Sequence, residues 1–303
     1  MNAHTNCIEV AGLSKVYGEK PAVSNVSFTV QPGSMTGFLG ANGAGKTTTM
    51  RMMMGLLEPT AGQVLYRGRP MTAEDRASFG YMPEERGLYP KQPILNQLIY
   101  LGQLRGLSAA EARDIATGHL TALGLGDRLK DKLESLSLGN QQRVQIVASL
   151  LHNPTALILD EPFSGLDPKA VDTMVSMMHE LMRSGVPILF SSHQLDLVDR
   201  LCDRIVILHE GQVKASGSAQ ELRESGAPRF RYAAGADAGW LREVPGVRVL
   251  DVEGTEALLE IAPAADLESV RTTILIEGMQ RQMHEFARVL PTLGDIYRGV
   301  THQ

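Results

Sequence analysis

Apolar residues in this chain gather in short runs, broken at intervals by glycine, proline and polar turns. Short runs rich in β-branched and aromatic residues predict buried strands; longer stretches with apolar positions three and four apart predict helices. Residues 7–39 read as β-structure: strands at 7–10, at 22–30 with partial alternation, and at 35–39, punctuated by Gly18 and Pro32-Gly33. A helix is expected over 47–57, free of Gly and Pro until Gly55. Strands follow at 63–66 and 79–82, the second stopped by Pro83. Helical patterns then occupy 94–104, 109–123 and 127–133, with Ser108 placed to cap a helix three residues before Glu111. Strands and helices alternate again from about 139 to 215: helices near 139–152, 170–183 and 195–201, strands near 156–159, 187–190, 205–208 and 213–215. Such alternation predicts an α/β fold with a mostly parallel sheet, its working residues at the strand C-terminal ends. The helical stretch, at about 90–136, reads as an insert between two halves of that unit.

Around 216–229 the composition shifts to Gly, Ser, Ala, Glu and Pro, which predicts a boundary between a domain over 1–225 and another over 230–303. The second carries strand 230–233, helix 238–244, strands 247–252 and 257–261, helix 266–277, strand 283–289 and a short terminal helix. That β-α-β-β-α-β order is the ferredoxin-like arrangement.

Composition narrows the classes. Apolar residues make up 43% and charged residues 21%, enough for a globular core. A net charge of −5 argues against a dedicated nucleic-acid binder, which carries a basic face or tail. No apolar run approaches the length of a membrane span, and residues 1–10 lack the apolar centre of a signal peptide. Cys7 and Cys202 form no metal or redox spacing and read as reduced thiols of a cytosolic protein, packed as small hydrophobes. Met50, Met52, Met53 and Met54 lie at helical spacing beside Leu56 and Leu57, so core packing is expected rather than a soft-metal site.

The chemistry starts at Gly40-Ala41-Asn42-Gly43-Ala44-Gly45-Lys46-Thr47, followed by Thr48. It satisfies G-x-x-x-x-G-K-[ST] between a predicted strand and a predicted helix, the context a phosphate loop requires. Glycines let the backbone curl so that amides at the helix start converge on an anion. Lys46 supplies a mobile cation for β- and γ-phosphates, and the Thr47 hydroxyl can ligate Mg²⁺. Downstream, the apolar run Leu157-Ile158-Leu159 delivers Asp160 and Glu161 to a sheet edge. There Asp160 can hold Mg²⁺ through water, and Glu161 can orient and deprotonate an attacking water. Tyr17, upstream of the loop, could stack on a purine or pack on the surface.

Three further stretches follow in fixed order: Leu136-Ser137-Leu138-Gly139-Asn140-Gln141-Gln142-Arg143, Ser164-Gly165-Leu166-Asp167, and His193 after the next strand. Taken with the two acidic residues and the phosphate loop, they resemble the ATP-binding subunit of an ABC transporter over about residues 5–225. The resemblance implies an ABC ATPase cassette with ATP and Mg²⁺ as ligands. It implies Tyr17 on adenine, Ser137 and Gly139 on the γ-phosphate of a partner copy's ATP, Asp167 at the subunit contact and His193 as γ-phosphate sensor. It further implies a head-to-tail homodimer on the cytoplasmic face of the membrane, driving a separate integral-membrane permease subunit. The signature stretch departs from L-S-G-G-Q at Leu138 and Asn140, and Glu84 stands where the family usually has a Gln that contacts Mg²⁺ and the lytic water. Pro83-Glu84-Glu85-Arg86-Gly87-Leu88-Tyr89-Pro90 and the C-terminal module are similar to a bacterial export-type branch that includes sodium-efflux and multidrug-like ATPases. A soluble ABC-type ATPase of translation or DNA repair is the alternative, but it carries two cassettes or a long coiled-coil insert. A GTPase or small-molecule kinase would leave Ser137, Gly139 and His193 without a role. Lys46→Ala is expected to weaken ATP binding at least about tenfold, because charge-assisted contacts are worth roughly 1.5–3 kcal/mol each. Titration with a fluorescent nucleotide checks this, and unchanged affinity contradicts the phosphate-loop assignment.

Overall fold

In the computed structural model, which describes residues 6–85 and 87–301, the chain begins with an antiparallel hairpin. Strand β1 (Ile8–Tyr17) pairs with β2 (Lys20–Val30) and, on its other side, with β4 (Ala61–Tyr66), which carries the short β5 (Arg69–Pro70). β1 runs on to Tyr17 instead of ending at Val10. Its register slips between Val10 and Leu13 and again before Lys15, and such bulges interrupt the alternation by which a strand is recognised. The first five residues of the expected polar N-terminus, and Arg86 in the stretch after Pro83, lie outside the described residues.

A second sheet is the centre of the first unit, which extends to Ser218. Its strands are β3 (Met35–Leu39), β6 (Phe79–Met82), β7 (Ala156–Leu159), β8 (Ile188–Ser192), β9 (Arg204–His209) and β10 (Gln212–Gly217). The order is β10-β9-β3-β8-β7-β6, with every pair parallel except β9–β10. β3, β7 and β8 are buried at every residue, as uninterrupted apolar runs in a covered parallel sheet must be. Their C-terminal ends bring Gly40, Asp160 and His193 to one edge. Helix α1 (Lys46–Met53) is shorter than its pattern suggests, stopping where Gly55 takes φ +69°. Its Met50, Met52 and Met53 are buried in one cluster with Tyr66 and Phe79. The short α2 (Ala73–Ala77), absent from the sequence pattern, rests on a Thr72–Asp75 capping box and on Arg69, which grips Asp75 at 2.7 and 2.8 Å.

The helical part comprises α3 (Ile94–Leu104), α4 (Ala109–Ala122) and α5 (Leu138–Leu150) around a core that includes Leu98, Leu120 and Val144. Ser108 and Glu111 form the expected capping box. The segment expected as a helix over 127–133 is instead two 3-10 turns, Gly126–Arg128 and Leu133–Ser135. The Leu133 amide, which a helix would turn to the Leu129 carbonyl, donates instead to that of Gln92, while the Leu129 and Asp131 carbonyls accept from the Leu95 and Ile94 amides at the start of α3, so the backbone bonds of this segment run to its neighbour. The unit is completed by α6 (Pro168–Arg183) and α7 (Leu195–Leu201). Cys7 and Cys202 are free and half-buried. Cys202 Sγ lies where a Cβ on Gly37 would meet it at 2.8 Å, and burial pushes its thiol well above its ordinary value.

The second unit starts at Ala219, ahead of the boundary expected at 225–230, because the supposed linker contains α8 (Ala219–Glu224), which packs on α10 (Leu293–Thr301). Strands β11 (Arg229–Ala233), β12 (Val247–Glu253), β13 (Glu256–Ile261) and β14 (Glu285–Val289) form an antiparallel sheet in the order β12-β13-β11-β14. Residues Ala238–Glu243 form a 3-10 helix where an α-helix was expected, and α9 (Leu267–Gln280) buries Val270 and Ile274 beside Tyr232 and Leu259. Both sheets that hold the phosphate loop and the strand-end residues are complete before Ala219. A chain ending at Ser218 is therefore expected to keep a single cooperative thermal unfolding transition, measured by circular dichroism. Aggregation or a broad, non-cooperative transition overturns that expectation.

Candidate active site

Between β3 and α1 the loop bends through two glycines in left-handed conformations, Gly43 at φ +82° and Gly45 at φ +102°. A Cβ at Gly40 would stand 2.6 Å from the Leu208 carbonyl, and one at Gly45 2.9 Å from that of Ala22. The loop is thus pressed against β9 and β2, and only glycine fits at these contacts. Lys46 opens α1, almost wholly buried, and its ammonium donates to the Gly40 and Ala41 carbonyls at 2.6 and 3.3 Å. One wall of a cavity of about 180 Å³ is made by Ala41, Asn42, Gly43, Gly45, Lys46, Thr47 and Thr48 with Ala22; Glu84, Asp160 and Glu161 make the other. Ala44 packs into the core below, and Gly40 stands at the loop's base.

The acids reach this cavity from two strand ends. Asp160, 1% exposed, accepts a bond from Ser191 Oγ on Oδ1 at 2.5 Å, while Oδ2 is buried without a partner. Glu161 turns into the left-handed region at φ +49°, an uncommon conformation for a non-glycine residue. Its amide donates to the same Ser191 Oγ at 2.8 Å, and its carbonyl accepts from Gln142 Nε2 at 3.0 Å. Glu161 Oε2 lies 3.1 Å from His193 Nδ1; Oε1 is buried and unpartnered. Glu84 Oε2 accepts from the Thr47 hydroxyl at 3.4 Å. A neighbouring cavity of about 170 Å³ shares Asn42, Glu84 and Glu161 and adds Gln142, Ser164 and His193.

Thr47, Asp160 and Glu84, the expected metal residues, therefore face one space. They offer only hard oxygen donors, which suits Mg²⁺. Among the described residues no three His, Cys, Asp or Glu are arranged to hold a metal unaided. A site of one or two carboxylates completed by substrate phosphates is how Mg²⁺ is usually bound beside nucleotides.

Four further predicted residues stand apart from both cavities. Ser137 caps α5 by accepting from the Asn140 amide at 3.4 Å, and Gly139 lies against the Gly165 carbonyl, 2.4 Å from where its Cβ would be. Tyr17 ends β1, half exposed, with Lys15 Nζ 5.5 Å from its ring centre. Asp167 caps α6 through the Ala170 amide at 2.9 Å and pairs with Arg143. Those contacts, the amide bond first, hold its carboxyl below its ordinary value.

Sequence reading passed over Ala22, Ser164, Gln142 and Ser191. Gln142 and Ser164 stood inside motifs already singled out and Ser191 just past the predicted strand 187–190, so their positions were visible and their contacts were not. Ala22 carries no local signal at all, since only its backbone approach to the loop places it there.

With this geometry in hand, the chain can be set beside known proteins. Residues 23–164 match the family described as ABC transporter. The uncharacterized ABC transporter ATP-binding protein YhaQ of Bacillus subtilis (strain 168) is 37% identical over 286 residues, covering 94% of this chain and 95% of that protein. The Nod factor export ATP-binding protein I of Burkholderia lata is 35% identical over 221 residues, covering 72% and 73%. A solved structure of an ATP binding subunit of an ABC transporter superposes with a TM-score of 0.67 at 36% identity, covering 72% of this chain and 92% of that one.

Glu84 adds a third carboxylate to a cavity shaped for phosphate. Without metal it repels a triphosphate; with a divalent cation between them it becomes an attractive partner. Glu84→Gln is accordingly expected to retain hydrolysis and to make ATP affinity less dependent on Mg²⁺. Affinities measured with and without Mg²⁺ in both proteins check this, and an identical Mg²⁺ effect places Glu84 away from the metal.

Proposed function

Since this chain belongs to the ATP-binding proteins of ABC transporters, we propose that it is the ATP-hydrolysing motor of an exporter, closing in pairs over two ATPs to drive a separate permease. The observation that carries this reading is the single cavity in which the Lys46–Thr47 loop faces Asp160 and Glu161. Loop amides and Lys46 hold the β- and γ-phosphates, as the charge of the triphosphate requires. Tyr17 stacks on the adenine. Bound by Thr47 and Asp160, with Glu84 nearby, Mg²⁺ would offset the charge on the phosphates.

Glu161 acts as the general base. Its Oε2 is oriented by His193, leaving Oε1 to accept a proton from the attacking water, and the products are ADP and phosphate. His193 reports on the γ-phosphate through the same contact. Ser137 and Gly139, the residues assigned to a γ-phosphate, lie outside both cavities of their own chain. A twofold, head-to-tail pairing places them over the partner copy's nucleotide and makes each site composite.

Export is favoured by the likeness to the Nod factor export protein. Among the described residues no helix is long and apolar enough to cross a membrane; on this reading translocation is the work of the permease. The cassette then works at the cytoplasmic face of the membrane, attached through that permease. Residues beyond Ala219 form an accessory module with its own core and none of the nucleotide-site residues.

Glu161→Gln keeps the shape of the side chain and removes the base. Hydrolysis is expected to fall by about 10²–10⁴ while ATP binding persists. Gel filtration with ATP should then reveal a trapped dimer, and a monomer with normal turnover would sink both the base and the pairing.

A further inference from the structure

We infer that Ser191 is a positioning residue for ATP hydrolysis, with one hydroxyl tying the end of β8 to both acids at the end of β7. This rests on the reading of Asp160 and Glu161 given above. Ser191 is wholly buried, and its Oγ makes two bonds of opposite sense. It donates to Asp160 Oδ1 at 2.5 Å, in the short range of charge-assisted O–H bonds, and accepts from the Glu161 amide at 2.8 Å.

Each bond settles one orientation. A carboxylate offers two equivalent oxygens; by engaging Oδ1, Ser191 leaves Oδ2 as the oxygen of Asp160 that is free for an ion. The second bond acts on the backbone. Glu161 sits at φ +49°, a conformation that persists only where surrounding contacts hold it. Ser191 holds its amide and Gln142 its carbonyl, at 2.8 and 3.0 Å, so the peptide units on either side of the Glu161 Cα are pinned from opposite directions. The Glu161 carboxylate then reaches His193. Without the hydroxyl, Asp160 is free to rotate, the Glu161 amide loses its partner and the turn can relax. Lys46 and the loop amides hold phosphate independently of this bond, so nucleotide affinity and catalysis should separate.

The experiment uses the full chain with Ser191→Ala and Ser191→Cys, the second keeping the side chain's size but not a strong hydroxyl donor. Supporting residues around a metal site typically contribute about 10–100-fold to metal affinity or activity. Both variants are therefore expected to lose about 10–100-fold in kcat, while the affinity for ATP measured without divalent metal stays within about threefold of that of the unmodified chain. A second readout does not depend on turnover: Mn²⁺ affinity of the ATP complex, by electron paramagnetic resonance, in the Glu161→Gln background. It should weaken by about tenfold or more when Ser191 is also replaced. Unaltered kcat and Mn²⁺ affinity in the variants overturn the proposal. So does a loss of kcat that runs in step with lost ATP binding and a lowered Tm in both, which would mean that Ser191 only supports folding. Failure of the underlying reading registers elsewhere, as absence of ATP binding and hydrolysis in the unmodified chain.

Discussion

Burying a carboxylate costs several kcal/mol unless hydrogen bonds and a cation compensate, and the fold places Asp160 under that constraint. Its neighbours on β7 are apolar and wholly enclosed, and Asp160, which follows them, is itself 1% exposed. One oxygen is satisfied from β8 and the other is left to whatever enters the cavity. The arrangement around it follows from that residual demand. The loop contributes amides and an ammonium, which attract phosphate, and in the function proposed above the remaining oxygen would accept the divalent cation that accompanies it.

Compensation of this kind needs strand ends that do not drift, which the parallel sheet supplies. β7 lies between β6 and β8, and β3 between β8 and β9, so within the parallel sheet every strand whose end bears a site residue, except the edge strand β6, is bonded on both sides. The edge is tied down by α5: Gln145 Nε2 donates to the Pro83 carbonyl at 2.7 Å, just before Glu84, one helical turn from Gln142 on the Glu161 carbonyl. The helix that begins with Ser137 thereby grips the backbone beside both acids. A displacement of α5 would reach Glu84 and Glu161 together, a physical link between the helical part and the site.

Much of this was legible in the residues. The phosphate loop, the acidic pair after an apolar run, and the order of strands and helices from α5 to β10 are local patterns, and each depends on chemistry within a few neighbouring residues. Strand-sized runs bounded by Gly and Pro identify a covered parallel sheet because both faces are buried and no alternation is needed. The Ser108–Glu111 box was equally readable, since a capping box is closed within four residues.

Tertiary structure decided what depends on residues distant in sequence. The helical periodicity of 127–133 gave way to two 3-10 turns because the backbone bonds of that segment run to Gln92 and the start of α3. The bulges of β1 hid a strand that its partner's register makes plain. Ser191 lay just past the predicted strand 187–190, yet its two hydrogen bonds, to Asp160 and from the Glu161 amide, span some thirty residues of chain and exist only because β7 and β8 are neighbours. Composition and local spacing thus determined which groups the protein carries and which element holds each. Which oxygen of Asp160 is engaged, and how the backbone is held at Glu161, are settled by hydrogen bonds from β8 and α5, and no local pattern encodes them.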